Sequence, residues 1–183
     1  MMIQNLKTFK IPKRFRGKSK FAVQLWWIIQ GSLFCWSPQF MYGWRRFLLR
    51  IFGAKIGVNV YIRPSAKILY PWHLIIGDWS WIGDDVTLYN MANINIGNNC
   101  VISQNSYLCT GSHDHTKSSF DIFAQAIIIE DEVWIASDVF IAPGVTIEYG
   151  TVVGIRSLVN NDLPPQMICY GNPAKPIKPR LVN

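Results

Sequence analysis

The chain has 183 residues, half of them apolar, and a net charge of +7. That is one domain with a real core and at most a small appendage. Its best apolar run, residues 21–36, is broken by Gln24, Gln30, Gly31 and Ser32, so a spanning helix of roughly 18 apolar residues is not expected.

The charge is uneven. Residues 1–67 hold thirteen Lys or Arg and no acid, whereas residues 68–183 hold five basic and eleven acidic residues. Residues 1–20 form a basic tail with no convincing small-residue cleavage site after it, which argues against a removable leader. Beside a Trp-rich apolar segment, such a tail suits docking on an anionic membrane; a plain solvated tail fits the composition equally well. Nucleic acid is not an expected partner, because no helix-turn-helix, zinc-finger or RNA-binding motif accompanies the charge.

Residues 21–55 read as a helical cap, interrupted near Ser37-Pro38. From residue 56 to 163 an internal repeat takes over. Aliphatic anchors recur every sixth position in four runs. These are Ile56, Ile62, Ile68; then Ile76, Ile82, Leu88, Ile94; then Ile96, Ile102, Leu108; then Ile129, Ile135, Ile141, Ile147, Val153, Val159. Glycine often follows the anchor (Gly57, Gly77, Gly83, Gly97, Gly154), as expected of a tight corner with positive φ. The fourth residue after the anchor is small or β-branched, as at Val60, Ala66, Cys100, Ser106 and Val139. A period of six fits neither an α-helix nor one long strand. It fits a short strand plus a corner, repeated, with two inward positions per repeat and coils that must stack to bury them.

The repeat loses phase twice. Two extra residues fall between Ile68 and Ile76, and the step from Leu108 to Ile129 is three more than a multiple of six. The second break spans residues 109–126, whose polar core Gly111-Ser112-His113-Asp114-His115 reads as a loop extruded from a rigid scaffold, where function concentrates. Residues 164–183, with five prolines, are an extended tail that closes the far end. Cys35, Cys100, Cys109 and Cys169 show no CxxC pairing, so free thiols and a cytoplasmic setting are expected.

The hexads, the loop Thr110-Gly111-Ser112-His113-Asp114, the segment Val133-Trp134-Ile135-Ala136-Ser137 and the tail Gly171-Asn172-Pro173-Ala174-Lys175-Pro176-Ile177 together resemble the hexapeptide-repeat acyltransferases. The resemblance is greatest to the colanic-acid-type sugar O-acetyltransferases, relatives of the galactoside, maltose and nodulation-factor enzymes, and it covers about residues 20–180. It implies an all-β solenoid, a left-handed parallel β-helix that assembles as a homotrimer with active sites between subunits. A trimer also offers the many Trp and Tyr side chains a place to be buried. The implied reaction is O-acetylation of a sugar by acetyl-CoA in exopolysaccharide, capsule or lipopolysaccharide synthesis. The basic, Trp-rich N-terminus replaces the acidic sugar-binding segment of the small-sugar enzymes. It therefore points to a lipid-linked or polymer-bound acceptor at the inner face of the cytoplasmic membrane.

Within that resemblance His113 is the general base, since imidazole accepts a hydroxyl proton near neutral pH. The Ser137 backbone N–H is the oxyanion donor, with Ala136 beside it. Trp134, Ala136, Ser137, Ala142, Gly154, Ile155, Asn160, Lys175 and Lys178 match the coenzyme A groove, the lysines as point charges for phosphate. Asp84, Asp85 and Asn90 are the acceptor candidates, because sugar hydroxyls want carboxylate and amide partners. His115 reads as an exposed loop residue and His73 as structural. No metal site is expected. N-acyl transfer to an amino-sugar nucleotide, a noncatalytic solenoid and a carbonic-anhydrase-like protein stay open as alternatives.

Overall fold

The computed structural model describes residues 3–12 and 15–181; Lys13 and Arg14 of the basic tail lie outside them. The hexads wind into a solenoid with three parallel sheets. The first sheet stacks Lys55–Ile56, Leu74–Ile76, Ile94–Ile96, Ile127–Ile129 and Thr146–Ile147. The second stacks Tyr61–Ile62, Trp81–Ile82, Val101–Ile102, Trp134–Ile135 and Val152–Val153, then the hairpin Met167–Gly171 and Ala174–Pro179. The third stacks Lys67–Ile68, Thr87–Tyr89, Tyr107–Cys109, Phe140–Ile141 and Leu158–Val159. Every anchor and every fourth-position residue named above is buried, which is the inward pattern the hexads require.

The corners differ from expectation in one respect. The glycines after the anchors do not take positive φ. The left-handed residue comes two positions later and is usually not glycine, as at Asn59, Asp85, Asn99, Asn105 and Asp138, where φ is 51 to 61°. Asn and Asp tolerate that region better than most residues. Glycine is required for a different reason, namely close approach of successive coils: a Cβ on Gly77 would lie 2.6 Å from the Gly97 carbonyl carbon.

Coil length also changes along the stack. Lys55 pairs with Ile75 and Ile75 with Asn95, each twenty residues on. Asn95 pairs with Ile128, thirty-three residues on, and Ile128 with Thr146, eighteen on. All the extra residues enter at one corner, between the third and first sheets. The two-residue slip after Ile68 therefore recurs after Leu88. Ile94 is the partner of Leu74, not a hexad anchor, and the anchor is Ile96.

Two helices close the N-terminal end. α1 (Lys20–Ile29) starts at Ser19, whose hydroxyl accepts from the Ala22 N–H at 3.3 Å, and it buries Val23 and Trp26. A π-helical turn, Gln30–Phe34, leads to α2 (Tyr42–Ile51), which buries Arg45, Leu48 and Leu49. Strand N–H groups of each coil donate to the coil below, as Gly57 does to Ile76, so the carbonyls of Ile56, Val60, Ile62 and Ile68 on the first coil face the cap. Side chains of the cap satisfy them. Arg45 donates to Ile62 O at 2.6 Å, Arg46 to Val60 O at 2.8 Å, Arg50 to Ile56 O at 2.7 Å and Trp26 to Ile68 O at 2.8 Å. Buried carbonyls demand donors, and three of the thirteen basic residues before position 68 serve this end. No helix among the described residues is long and apolar enough to cross a membrane. At the far end the Pro-rich tail is a hairpin whose outer strand carries Pro176 and Pro179, tolerable because that strand is an edge.

Candidate active site

The extruded loop is a two-stranded antiparallel hairpin, Gly111–His113 against Ile122–Ala124, standing off the corner between the third and first sheets. Lys117 braces its tip, 3.6 Å from Asp114 and 3.4 Å from Asp121. The Thr116 hydroxyl and amide, with Lys117, hold the Asp114 carboxyl below the usual carboxylate range.

His113 ends the first hairpin strand. Its Nδ1 lies 2.9 Å from the Phe120 carbonyl, and its ring stacks on the Phe120 ring at 4.2 Å with a 6° interplanar angle. A carbonyl only accepts, so Nδ1 carries the proton and Nε2 is the basic nitrogen. Phe120 has φ of 52°, unusual for a bulky residue. The N-terminal arm reaches the same place. The Asn5 N–H donates to Ser118 O at 2.7 Å, and the Phe9 ring lies 5.8 Å from that of His113. Together the hairpin and arm enclose a cleft of about 760 Å³ lined by His113, His115, Lys117, Asp121, Lys10 and Pro12. Lys10 enters it with no carboxylate partner among the described residues. Sequence reasoning missed Phe120, Phe9 and Lys10. An aromatic in a polar loop was the one visible sign of the first, and nothing marked the other two.

The other expected residues fall on two edges of the prism. Asp84, Asp85, Ala136, Ser137, Gly154 and Ile155 stack along the corner between the second and third sheets, while Ala142 and Asn160 lie on the same corner as the His113 hairpin. The Ala136 N–H donates to Val153 O at 2.9 Å. The Ser137 N–H has no acceptor among the described residues. Trp134 is exposed on the second sheet, its Nε1 donating to the Ser103 hydroxyl at 3.0 Å. Lys175 and Lys178 are exposed on the outermost strand of that sheet, whereas Arg180 is tied back to Glu132 O at 2.8 Å.

The acceptor candidates divide. Asp84 accepts from Arg63 at 2.7 Å and from the Ser65 hydroxyl at 2.9 Å. It neighbours a pocket of about 460 Å³ lined by Tyr42, Tyr61, Arg63, Trp81, Ser103 and Gln104, in which the Tyr61 and Trp81 rings meet edge-on at 5.4 Å. Asp85 is the exposed left-handed residue of that corner. Asn90 is different: it is fully buried, and its amide brackets the Tyr70 backbone, accepting at 2.9 Å and donating at 2.7 Å. It holds the corner together and presents no open face to a ligand, a correction to its place among the acceptor contacts. His73 packs at the same corner, Nδ1 3.3 Å from Asn90 O. No group of three His, Cys, Asp or Glu suited to a metal stands together among the described residues.

No family model matches the chain. Individual relatives do. The chain is 58% identical over 179 residues to the putative colanic acid biosynthesis acetyltransferase WcaF of Escherichia coli K12, covering 98% of both chains. It is 31% identical to the galactoside O-acetyltransferase of the same organism, over 73% of this chain and 68% of that one. Among solved structures, the hexapeptide-repeat acetyltransferase VCA0836 of Vibrio cholerae, complexed with acetyl coenzyme A, superposes with a TM-score of 0.80 at 26% identity, covering 89% of each chain. The stacked hexads, the His-bearing hairpin and full-length identity to WcaF agree, and the chain belongs to the hexapeptide-repeat acetyltransferases of the colanic acid biosynthesis type.

Proposed function

We propose that the protein moves the acetyl group of acetyl-CoA to a hydroxyl of a saccharide during exopolysaccharide, capsule or lipopolysaccharide synthesis, with His113 as general base. The observation that carries this is the contact of His113 Nδ1 with the Phe120 carbonyl, which makes Nε2 the proton-accepting nitrogen of the neutral ring. Nε2 takes the acceptor's hydroxyl proton as its oxygen attacks the thioester carbonyl. The resulting oxyanion accepts from the Ser137 N–H. Collapse expels the coenzyme A thiolate, which takes the proton back from the imidazolium, so no covalent enzyme intermediate is needed.

His113 and Ser137 stand on opposite edges of the third sheet, so one chain does not assemble this pair. A homotrimer in which the His113 corner of one subunit faces the Ser137 corner of the next supplies both. The coenzyme A groove then runs along Trp134, Ala136, Gly154 and Ile155 to Lys175 and Lys178, with Ala142 and Asn160 opposite. The aromatic pocket by Asp84 suits the apolar face of a sugar ring, with Asp84, Asp85, Arg63 and Gln104 for its hydroxyls. The acceptor is a lipid-linked or polymer-bound saccharide at the inner face of the cytoplasmic membrane.

The test is thiol release from acetyl-CoA against a panel of saccharides and amino-sugar nucleotides. Release driven by sugar hydroxyls is expected. Release with amino-sugar nucleotides alone would overturn O-transfer, and release with no acceptor in the panel would overturn the saccharide reading.

A further inference from the structure

We infer that the outer face of the helical cap is a docking surface for an anionic lipid bilayer. On α1, Phe21 and Ile28 point to solvent a helical turn or two apart, and on α2 so do Phe47 and Ile51. The loop between the helices carries the most exposed large side chains of the cap, Trp36 at 83% and Phe40 at 80%. Contacts join the middle of this set. Leu33, Trp36 and Trp44 line one shallow depression, Trp44 stacks on Phe47 at 5.7 Å, and the Trp44 Nε1 donates to Leu33 O at 2.9 Å, tying the two helical segments together. The opposite faces of the same helices, through Val23, Trp26, Leu48 and Leu49, are spent on the solenoid. Nothing in the stacking of the coils requires the outer aromatics, and large exposed apolar side chains gathered on one structural unit mark an interaction site.

Charge identifies the occupant. Residues 1–67 contain no acid, so no carboxylate of the cap repels an anionic surface. Arg45, Arg46 and Arg50 are engaged with the first coil's carbonyls. Lys18 and Lys20, both exposed immediately before Phe21, put cations at the rim. Trp and Phe at the tip with Lys at the edge is the composition of a helix that lies in the headgroup boundary. The cap sits on the first coil and the His113 hairpin leaves the third. At about 4.8 Å per coil, plus a helix about 10 Å thick, the imidazole stands on the order of 20 Å from the docked surface. That is within reach of a few sugar units carried on a lipid.

This deepens the membrane-proximal reading given above, and vesicle binding can fail while acetyl transfer to a water-soluble sugar persists. The experiment is flotation of the full-length protein with phosphatidylcholine vesicles, with and without phosphatidylglycerol. It is repeated for Trp36→Ser/Phe40→Ser, with size exclusion and acetyl transfer to a soluble acceptor measured on both proteins. The protein is expected to float with the phosphatidylglycerol vesicles, less so as salt is raised. The double variant is expected to lose at least about tenfold in binding, with its oligomeric state and soluble-acceptor activity unchanged. Flotation equal to that of the unmodified protein would overturn the assignment of this face. Absence of flotation by the unmodified protein would overturn docking itself. A change of oligomeric state in the variant without a change in flotation would hand the face to a second copy of the chain.

Discussion

His113 and Phe120 hold each other twice. The imidazole Nδ1 meets the Phe120 carbonyl at 2.9 Å, and the two rings stack 4.2 Å apart and nearly parallel. Phe120 keeps a left-handed backbone, φ 52°, a conformation costing on the order of 1 kcal/mol that the surroundings must impose. The carbonyl fixes the tautomer and the ring fixes the plane. His113→Ala should lower kcat by about 10²- to 10⁴-fold with little change in melting, since the hairpin stands outside the core. Phe120→Ala should lower kcat by about 10- to 100-fold through misorientation of the base, with a smaller change in KM for acetyl-CoA. Steady-state kinetics on purified variants decide both. Unchanged kcat in Phe120→Ala would mean the stack does not position the imidazole.

The separation of His113 and Ser137 on two edges predicts complementation. Ser137→Pro removes the candidate oxyanion donor, and His113→Ala the candidate base. Each alone should be inactive. Co-expressed with different tags and purified through both, the mixed assemblies should regain a measurable fraction of wild-type activity, because some sites draw an intact histidine from one chain and an intact amide from the next. Mixed assemblies as inactive as their parents would place both groups of a site in one chain.

Arg45 is fully buried and has no carboxylate partner among the described residues. It donates to Ile62 O, Pro38 O, Gln39 O and the Ser37 hydroxyl, its guanidinium lies 4.9 Å over the Tyr42 ring, and burial lowers its affinity for its proton. Arg45→Met keeps volume but strips two buried oxygens, Ile62 O and the Ser37 hydroxyl, of a donor. A loss on the order of 3 kcal/mol is expected, seen as a lower midpoint in denaturant. Lysine should rescue poorly, since its ammonium lacks the planar fork.

The thiols make a fourth prediction. Cys35 is exposed, while Cys100 and Cys169 are buried. Burial pushes the Cys100 thiol up to about 11 and raises Cys109 and Cys169 in the same direction. A thiol reagent at neutral pH should therefore modify one cysteine per chain quickly and the rest on unfolding, as counted by intact mass. The folded thiol of Cys100 holds its proton above the ordinary value of 9.0. Its contribution to stability is thus complete below about pH 9 and is lost as pH rises towards 11. Cys100→Ala should flatten that alkaline fall in melting temperature, leaving the part due to Tyr70, Tyr89 and Tyr107, which burial shifts the same way.

The solenoid was legible because its information is periodic. Ile56 to Val159 repeat a single demand, an aliphatic anchor and a small residue four later, and each coil confirms the last. What was not legible is what occurs once. The phase of Ile94 could be read as an anchor because both Ile94 and Ile96 point inward. The corner glycines looked like φ-positive residues because close stacking of coils leaves the same mark in sequence as a strained turn. His113 was visible from its loop, but its partner Phe120 acts through a carbonyl, which no side chain advertises. Asn90 looked like a sugar contact because an amide that brackets a backbone and an amide that waits for a ligand are the same letter. Arg45, Arg46 and Arg50 looked like surface charge because hexads do not announce where the stack ends.

The capped ends also bear on how the protein behaves in concentrated solution. A solenoid's terminal coil is a template: its open carbonyls and amides fit the next coil of any copy of itself, and stacked end to end such chains would grow into fibres. Here the N-terminal face is sealed by guanidinium and indole donors rather than by a strand, so it offers no matching partner. At the other face the second sheet ends in a strand in which Pro176 and Pro179 have no N–H to give. End-to-end growth is therefore hindered at the N-terminal pole and along the second sheet at the other.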